Sequence, residues 1–161
     1  MLKRMVNSVR RNHALEHATI SILLSRHGPM RVIGRAATDG FYIYGNVSTE
    51  RLNEFAQEAL GRLQHGESDL AVSPLCGTNI AVAGILAGCA SYVAMGSRRR
   101  PVEGISSAIV GAIIAVIASQ PIGRLIQKHY TTSPDLDGVR IVSVDPMGKG
   151  FGLHKVRTAA A

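Results

Sequence analysis

The stretch Leu70–Ser97, LAVSPLCGTNIAVAGILAGCASYVAMGS, runs for 28 residues without a charge. A second charge-free run of 20 residues follows at Gly104–Gly123, GISSAIVGAIIAVIASQPIG. A helix needs about 20 apolar residues to cross a hydrocarbon core of ~30 Å, so both runs are long enough to span a bilayer. The alternative is a pair of buried helices in a soluble protein, which a chain of 161 residues would struggle to cover on all sides. The sequence therefore predicts two transmembrane helices over roughly residues 75–96 and 104–126. The short link Ser97–Glu103 makes them an antiparallel hairpin. Small residues mark both spans: Gly84 and Gly88 form a GxxxG step, and Ser107, Gly111 and Ala115 form a ladder. Such residues let helix backbones approach closely in lipid.

The flanks read differently. Val9, Leu15, Ile20, Leu23 and Leu24 recur at helical spacing and predict a helix over residues 5–26, ended by Gly28-Pro29. Met30–Ile33 and Phe41–Tyr44 read as strands, joined through the turn residues Thr38-Asp39-Gly40. Ser48 opens a helix whose apolar face is Leu52, Phe55, Ala59, Leu60 and Leu63. After the spans, Val139–Val144 and Leu153–Val156 read as a strand pair, with residues 158–161 frayed. The expected fold class is thus α+β with a membrane hairpin. Residues 1–73 and 130–161 would build a small α+β domain on one membrane face, and residues 74–129 would form the hairpin.

Net charge is +7. No aromatic residue interleaves with the basic clusters, which argues against a nucleic-acid partner. The expected partners are the lipid bilayer and anionic head groups, met by Lys3, Arg4, Arg10 and Arg11 near the N-terminus and by Arg98–Arg100 on the link. A second copy or another membrane protein would pack on the hairpin. Orientation is contested. Arg98, Arg99 and Arg100 favour a cytoplasmic link, whereas Arg62, Arg124 and Lys128 favour cytoplasmic flanks. The basic N-terminal region and the lack of a charged-then-apolar leader place both termini in the cytoplasm, on a two-span protein of the cell membrane. Cys76 and Cys89 are 13 residues apart on one predicted helix, too far to bridge, and read as free thiols.

The sharpest chemical signal is His13-Ala14-Leu15-Glu16-His17. On a helix, positions i, i+3 and i+4 share a face, so His13, Glu16 and His17 point one way. Two imidazoles one turn apart can ligate one Zn²⁺, and a carboxylate beside them can take a proton from metal-bound water. The bland alternative is an amphipathic helix whose His and Glu pair with each other or with lipid phosphates. A third ligand would come from the residues that flank the spans: Cys76, His129 or Asp135, each a group that zinc accepts. Asp135 also suits plain turn chemistry in Thr131–Asp135, and Cys76 suits a small buried filler. Asn79, polar within the first span, is expected to face a partner helix or a cavity. His27, His65 and His154 read as surface or loop histidines.

The pattern H-x-x-E-H resembles the active-site helix of the inverzincin metallopeptidases. That resemblance covers five residues. It implies that His13 and His17 bind zinc and that Glu16 activates water. The glutamate that serves those enzymes as third ligand has no clear counterpart here. Three longer segments, Arg11–Thr19, Ser73–Asn79 and Thr131–Leu136, resemble an uncharacterised family of bacterial two-span membrane proteins. This implies the architecture and gives the three segments a common site, but no reaction. Two functions stay open: a membrane-anchored zinc hydrolase of peptidase type, and a non-catalytic membrane subunit or lipid- and partner-binding scaffold, with a structural metal or none.

Overall fold

The computed structural model describes residues 1–96, 101–148 and 152–160, with only the backbone at 101–103. Its elements run α1 (Leu2–His27), β1 (Val32–Ala37), β2 (Gly40–Gly45), α2 (Thr49–Gln64), a 3-10 turn (Ser68–Ala71), α3 (Gly77–Met95), α4 (Pro101–Ile126), a π-helical turn (Gln127–Thr131), β3 (Val139–Pro146) and β4 (Leu153–Ala160). The fold is α+β. The chain divides into two compact units, one of Met1–Ser73 with Lys128–Ala161 and one of Pro74–Gln127.

The first unit is a four-stranded antiparallel sheet in the order β1-β2-β4-β3, with helices against one face. Alternation along the strands decides which face. Phe41, Ile43 and Val156 point inward and are completely buried, while their neighbours Tyr42 and Tyr44 point the other way. From α1 the core receives Ala14, Leu15, Ala18, Ile22 and Leu23. From α2 it receives Leu52, Phe55, Ala56, Ala59, Leu60 and Leu63. Gly28, at φ 80°, ends α1 in a conformation that glycine adopts without strain, and its N–H bonds to Leu24 O at 3.0 Å. Ser48 Oγ accepts from the N–H of Arg51 and caps α2.

Three local expectations are corrected. The first strand begins at Val32 and continues to Ala37, because every residue of it pairs with β2. Residues 158–160 continue β4 instead of fraying: Thr158 pairs with Ile141, and its hydroxyl donates to Asn12 Oδ1 at 2.6 Å. His154 is a buried strand residue opposite Ile43, not a surface histidine. Ser97–Arg100, with most of the expected basic link, lie outside the described residues.

In the second unit, α3 and α4 pack with antiparallel register. Ser91 Oγ donates to Ala108 O at 3.2 Å, and Gly111 lies so close to Ala90 and Ala94 that an added Cβ would sit 3.1 Å from Ala90 O and from the Ala94 methyl. The small-residue ladder of α4 is therefore used at Gly111. The GxxxG step is not: Gly84 and Gly88 open to space among the described residues. Asn79 Oδ1 accepts from Gln127 Nε2 at 2.8 Å, and its Nδ2 donates to Pro74 O at 3.0 Å. Gly123 leaves the room in which the Asn79 amide sits. Both helices are long and apolar enough to cross a membrane, and only 6% and 11% of their most apolar windows are buried.

Candidate metal centre

The site residues lie on the middle of α1, where each polar side chain answers a specific backbone group. Arg10 Nη2 donates to His129 O at 2.9 Å and to Thr132 O at 3.0 Å, and its own carbonyl accepts from Ser133 N. These carbonyls end a helical segment, where they lack helical partners and where a cation is favoured. Arg11 donates to Asp135 Oδ2 at 2.9 Å. Asn12 is buried and donates to Ala37 O at 2.8 Å, which ties α1 to the end of β1. Two of the four bases that the sequence grouped for lipid contact, Arg10 and Arg11, thus have partners inside the first unit.

The His13 and His17 rings lie with centroids 4.3 Å apart and planes tilted by 58°, and a nitrogen of one ring lies within 4.8 Å of a nitrogen of the other. One helical turn separates them, as the i, i+4 spacing requires. His13 Nδ1 bonds to Thr131 O at 2.9 Å, and His17 Nδ1 bonds to Ala71 O at 2.8 Å. A carbonyl oxygen only accepts, so in both bonds Nδ1 is the donor. In its neutral form each imidazole then carries its lone pair on Nε2. The π-helical turn and the 3-10 turn each end on one of these two acceptors.

Glu16 is buried, and its carboxylate lies against Gly34 of β1, where any Cβ would collide with Oε1. The sequence placed Glu16 on the histidine face but gave no reason for Gly34. A glycine inside a strand marks a close approach, and here the approaching group is this carboxylate. A cleft of about 170 Å³ opens between the 3-10 turn and the segment around the π-helical turn. It is lined by Ala71, the acceptor for His17, and by Thr132, next in sequence to the acceptor for His13. Ser68, Asp69, Lys128 and His129 complete much of its wall.

Asp135 is exposed and held by Arg11, whose hydrogen bond lowers its carboxyl pKa below the usual range; its Oδ1 also accepts from Asp137 N at 3.3 Å. His129 is exposed along the cleft and contributes its carbonyl to Arg10. Cys76 belongs to the hairpin unit, where it is buried and its Sγ caps α3 by accepting from Thr78 N at 3.4 Å. A helix N-terminus is a position that favours an anion. Sequence reasoning missed the structural work of Arg10 and Asn12, and the two carbonyl acceptors, which carry no side-chain signal.

Residues 8–144 match the model of a domain of unknown function, DUF6391. The chain belongs to this family. A relative from Picosynechococcus sp., an uncharacterised protein, is 32% identical over 139 residues, covering 80% of this chain and 68% of its own length. No solved structure matches the chain.

Proposed function

We propose that this DUF6391 protein is a membrane-anchored, zinc-dependent hydrolase of peptidase-like chemistry, with its site on α1. The observation that carries the reading is the pair of neighbouring histidines whose Nδ1 atoms are both tied to backbone carbonyls. Metal-binding histidines are characteristically oriented this way, since the outer hydrogen bond fixes the tautomer and raises the basicity of the ligating nitrogen. Zinc, when bound, supplies a Lewis acid and a water acidic enough to ionise near neutral pH. Glu16, next in sequence to His17, would serve as the base toward such a water, and the cleft walled in part by Ala71 and Thr132 would take the substrate. Cys76, His129 and Asp135 are the candidates for a third ligand.

Anchoring is supported by α3 and α4. Two packed helices can each hide one stripe, yet their other faces carry Ile80, Ile85, Tyr92, Val93, Ile113 and Ile117, all exposed. An apolar surface this extensive calls for lipid or a partner.

The burial of His17 and Glu16 favours a second reading, a structural metal in a non-catalytic membrane subunit. One experiment separates the two. Zinc content and peptide hydrolysis are measured on the detergent-purified chain, on His13→Ala/His17→Ala and on Glu16→Gln. The hydrolase reading expects zinc in the wild type and its loss in the double variant. Glu16→Gln should keep the metal but lose activity by roughly 10²-fold or more. Zinc without hydrolysis in the wild type selects the structural reading. Equal, substoichiometric zinc in wild type and double variant overturns both.

A further inference from the structure

Leu2, Met5, Val6 and Val9 occupy positions i, i+3, i+4 and i+7 of α1, so they form one apolar stripe. The buried part of α1 begins only at Asn12. Ahead of it the stripe has no core beneath it among the described residues: Leu2 is 75% exposed, Met5 47% and Val6 49%. Lys3 and Arg4 flank the stripe, and among the described residues neither makes an ion pair. No acidic residue precedes Glu16. Because Arg10 and Arg11 are held internally, the exposed positive charge of this segment is concentrated on Lys3 and Arg4.

We propose that Leu2–Val9 is an interfacial anchor. The stripe lies at the head-group boundary of an anionic bilayer, and Lys3 and Arg4 meet lipid phosphates. An apolar stripe bordered by bases is the pattern of helices that lie in the membrane surface. A second copy is a poorer occupant, since pairing this stripe with itself would bring the two sets of bases together. The inference rests on the bilayer reading of α3 and α4, and its test is built to separate the two.

The chain contains no tryptophan, so one introduced indole reports its own surroundings. Leu2→Trp and, separately, Ile85→Trp are made in the full chain and reconstituted into vesicles of phosphatidylcholine, with or without phosphatidylglycerol. Both are read by emission wavelength and by quenching from brominated acyl chains. Leu2→Trp should shift to the blue and be quenched in the anionic vesicles, and less so in phosphatidylcholine alone. Adding Lys3→Gln and Arg4→Gln should lower its bound-to-free ratio roughly 30-fold, from two surface bases. Quenching at Ile85 but not at Leu2 overturns the anchor alone. Quenching at neither position overturns the bilayer reading and the anchor with it. A blue shift at Leu2 without quenching shows protein contact and overturns the lipid assignment, as does quenching at Leu2 that ignores lipid charge.

Discussion

Thr158 donates its hydroxyl to Asn12 Oδ1 at 2.6 Å, across 146 residues of sequence. The same asparagine holds Ala37 O with its amide, so one side chain joins α1, β1 and β4. Replacing Asn12 by Ala leaves both partners without this bond and should cost about 2–3 kcal/mol. Thr158→Val removes a single bond and should cost about 1 kcal/mol. Denaturant unfolding of the four chains of a double-mutant cycle should return a coupling of roughly 1 kcal/mol, whereas simple additivity would remove Asn12 from this role.

Gly34 makes room for the Glu16 carboxylate. Gly34→Ala should therefore destabilise the first unit by about 1–3 kcal/mol, the usual range for overpacking a filled site. The cost depends on the carboxylate, so Gly34→Ala should be milder when introduced into Glu16→Ala than into the wild type. Thermal unfolding of both pairs measures the difference. An equal penalty in both backgrounds would mean that the backbone of β1, not Glu16, demands the glycine.

Lys155 is fully buried on the sheet face that carries Tyr42. Its Nζ lies 2.7 Å from Asp39 Oδ1 and 4.0 Å from the Tyr42 ring centre. The Lys155 hydrogen bond draws the Asp39 pKa below its ordinary 3.8. A carboxyl group whose pKa is lower in the folded chain adds stability above its unfolded value, and that stability is lost as pH falls through the folded value. Unfolding free energy should thus begin to drop below about pH 4, and Asp39→Asn should flatten that part of the curve. At neutral pH the substitution should cost about 1–2 kcal/mol, held low by the exposure of Asp39 to solvent.

Within the hairpin, Gly111 and Gly84 should behave in opposite ways. Gly111→Val would press on Ala90 and Ala94, lowering the thermal midpoint of the detergent-solubilised chain by an amount equivalent to about 1–3 kcal/mol. Gly84→Val meets open space and should leave the midpoint unchanged or slightly raised. A large loss at Gly84 would show that this face is already covered.

Much of the fold was legible because its signals are periodic. The charge-free runs marked α3 and α4, and the spacing of Leu52, Phe55, Ala59, Leu60 and Leu63 marked α2. The turn at Thr38–Gly40 fell where the sequence put it. Edges were less visible: β4 reaches Ala160 because Thr158 finds Asn12, a long-range bond that no local pattern announces. The same holds for the site. The histidine pair could be read from its spacing, but its orientation depends on Ala71 O and Thr131 O, and every residue has a carbonyl. GxxxG was read as a contact surface, yet Gly111 makes the close approach, since small residues permit contact without specifying which pair will meet.

The strand order β1-β2-β4-β3 sets a timetable for biosynthesis. β4 lies between β2 and β3, so the hydrogen-bonding edge of β2 stays open until residues beyond 152 have been made. The acceptor for His13 is likewise synthesised 118 residues after the histidine itself. The apolar runs of α3 and α4 leave the ribosome in that interval. A nascent chain halted before β4 would display the unpaired edge of β2, which makes the intermediate a substrate for chaperones.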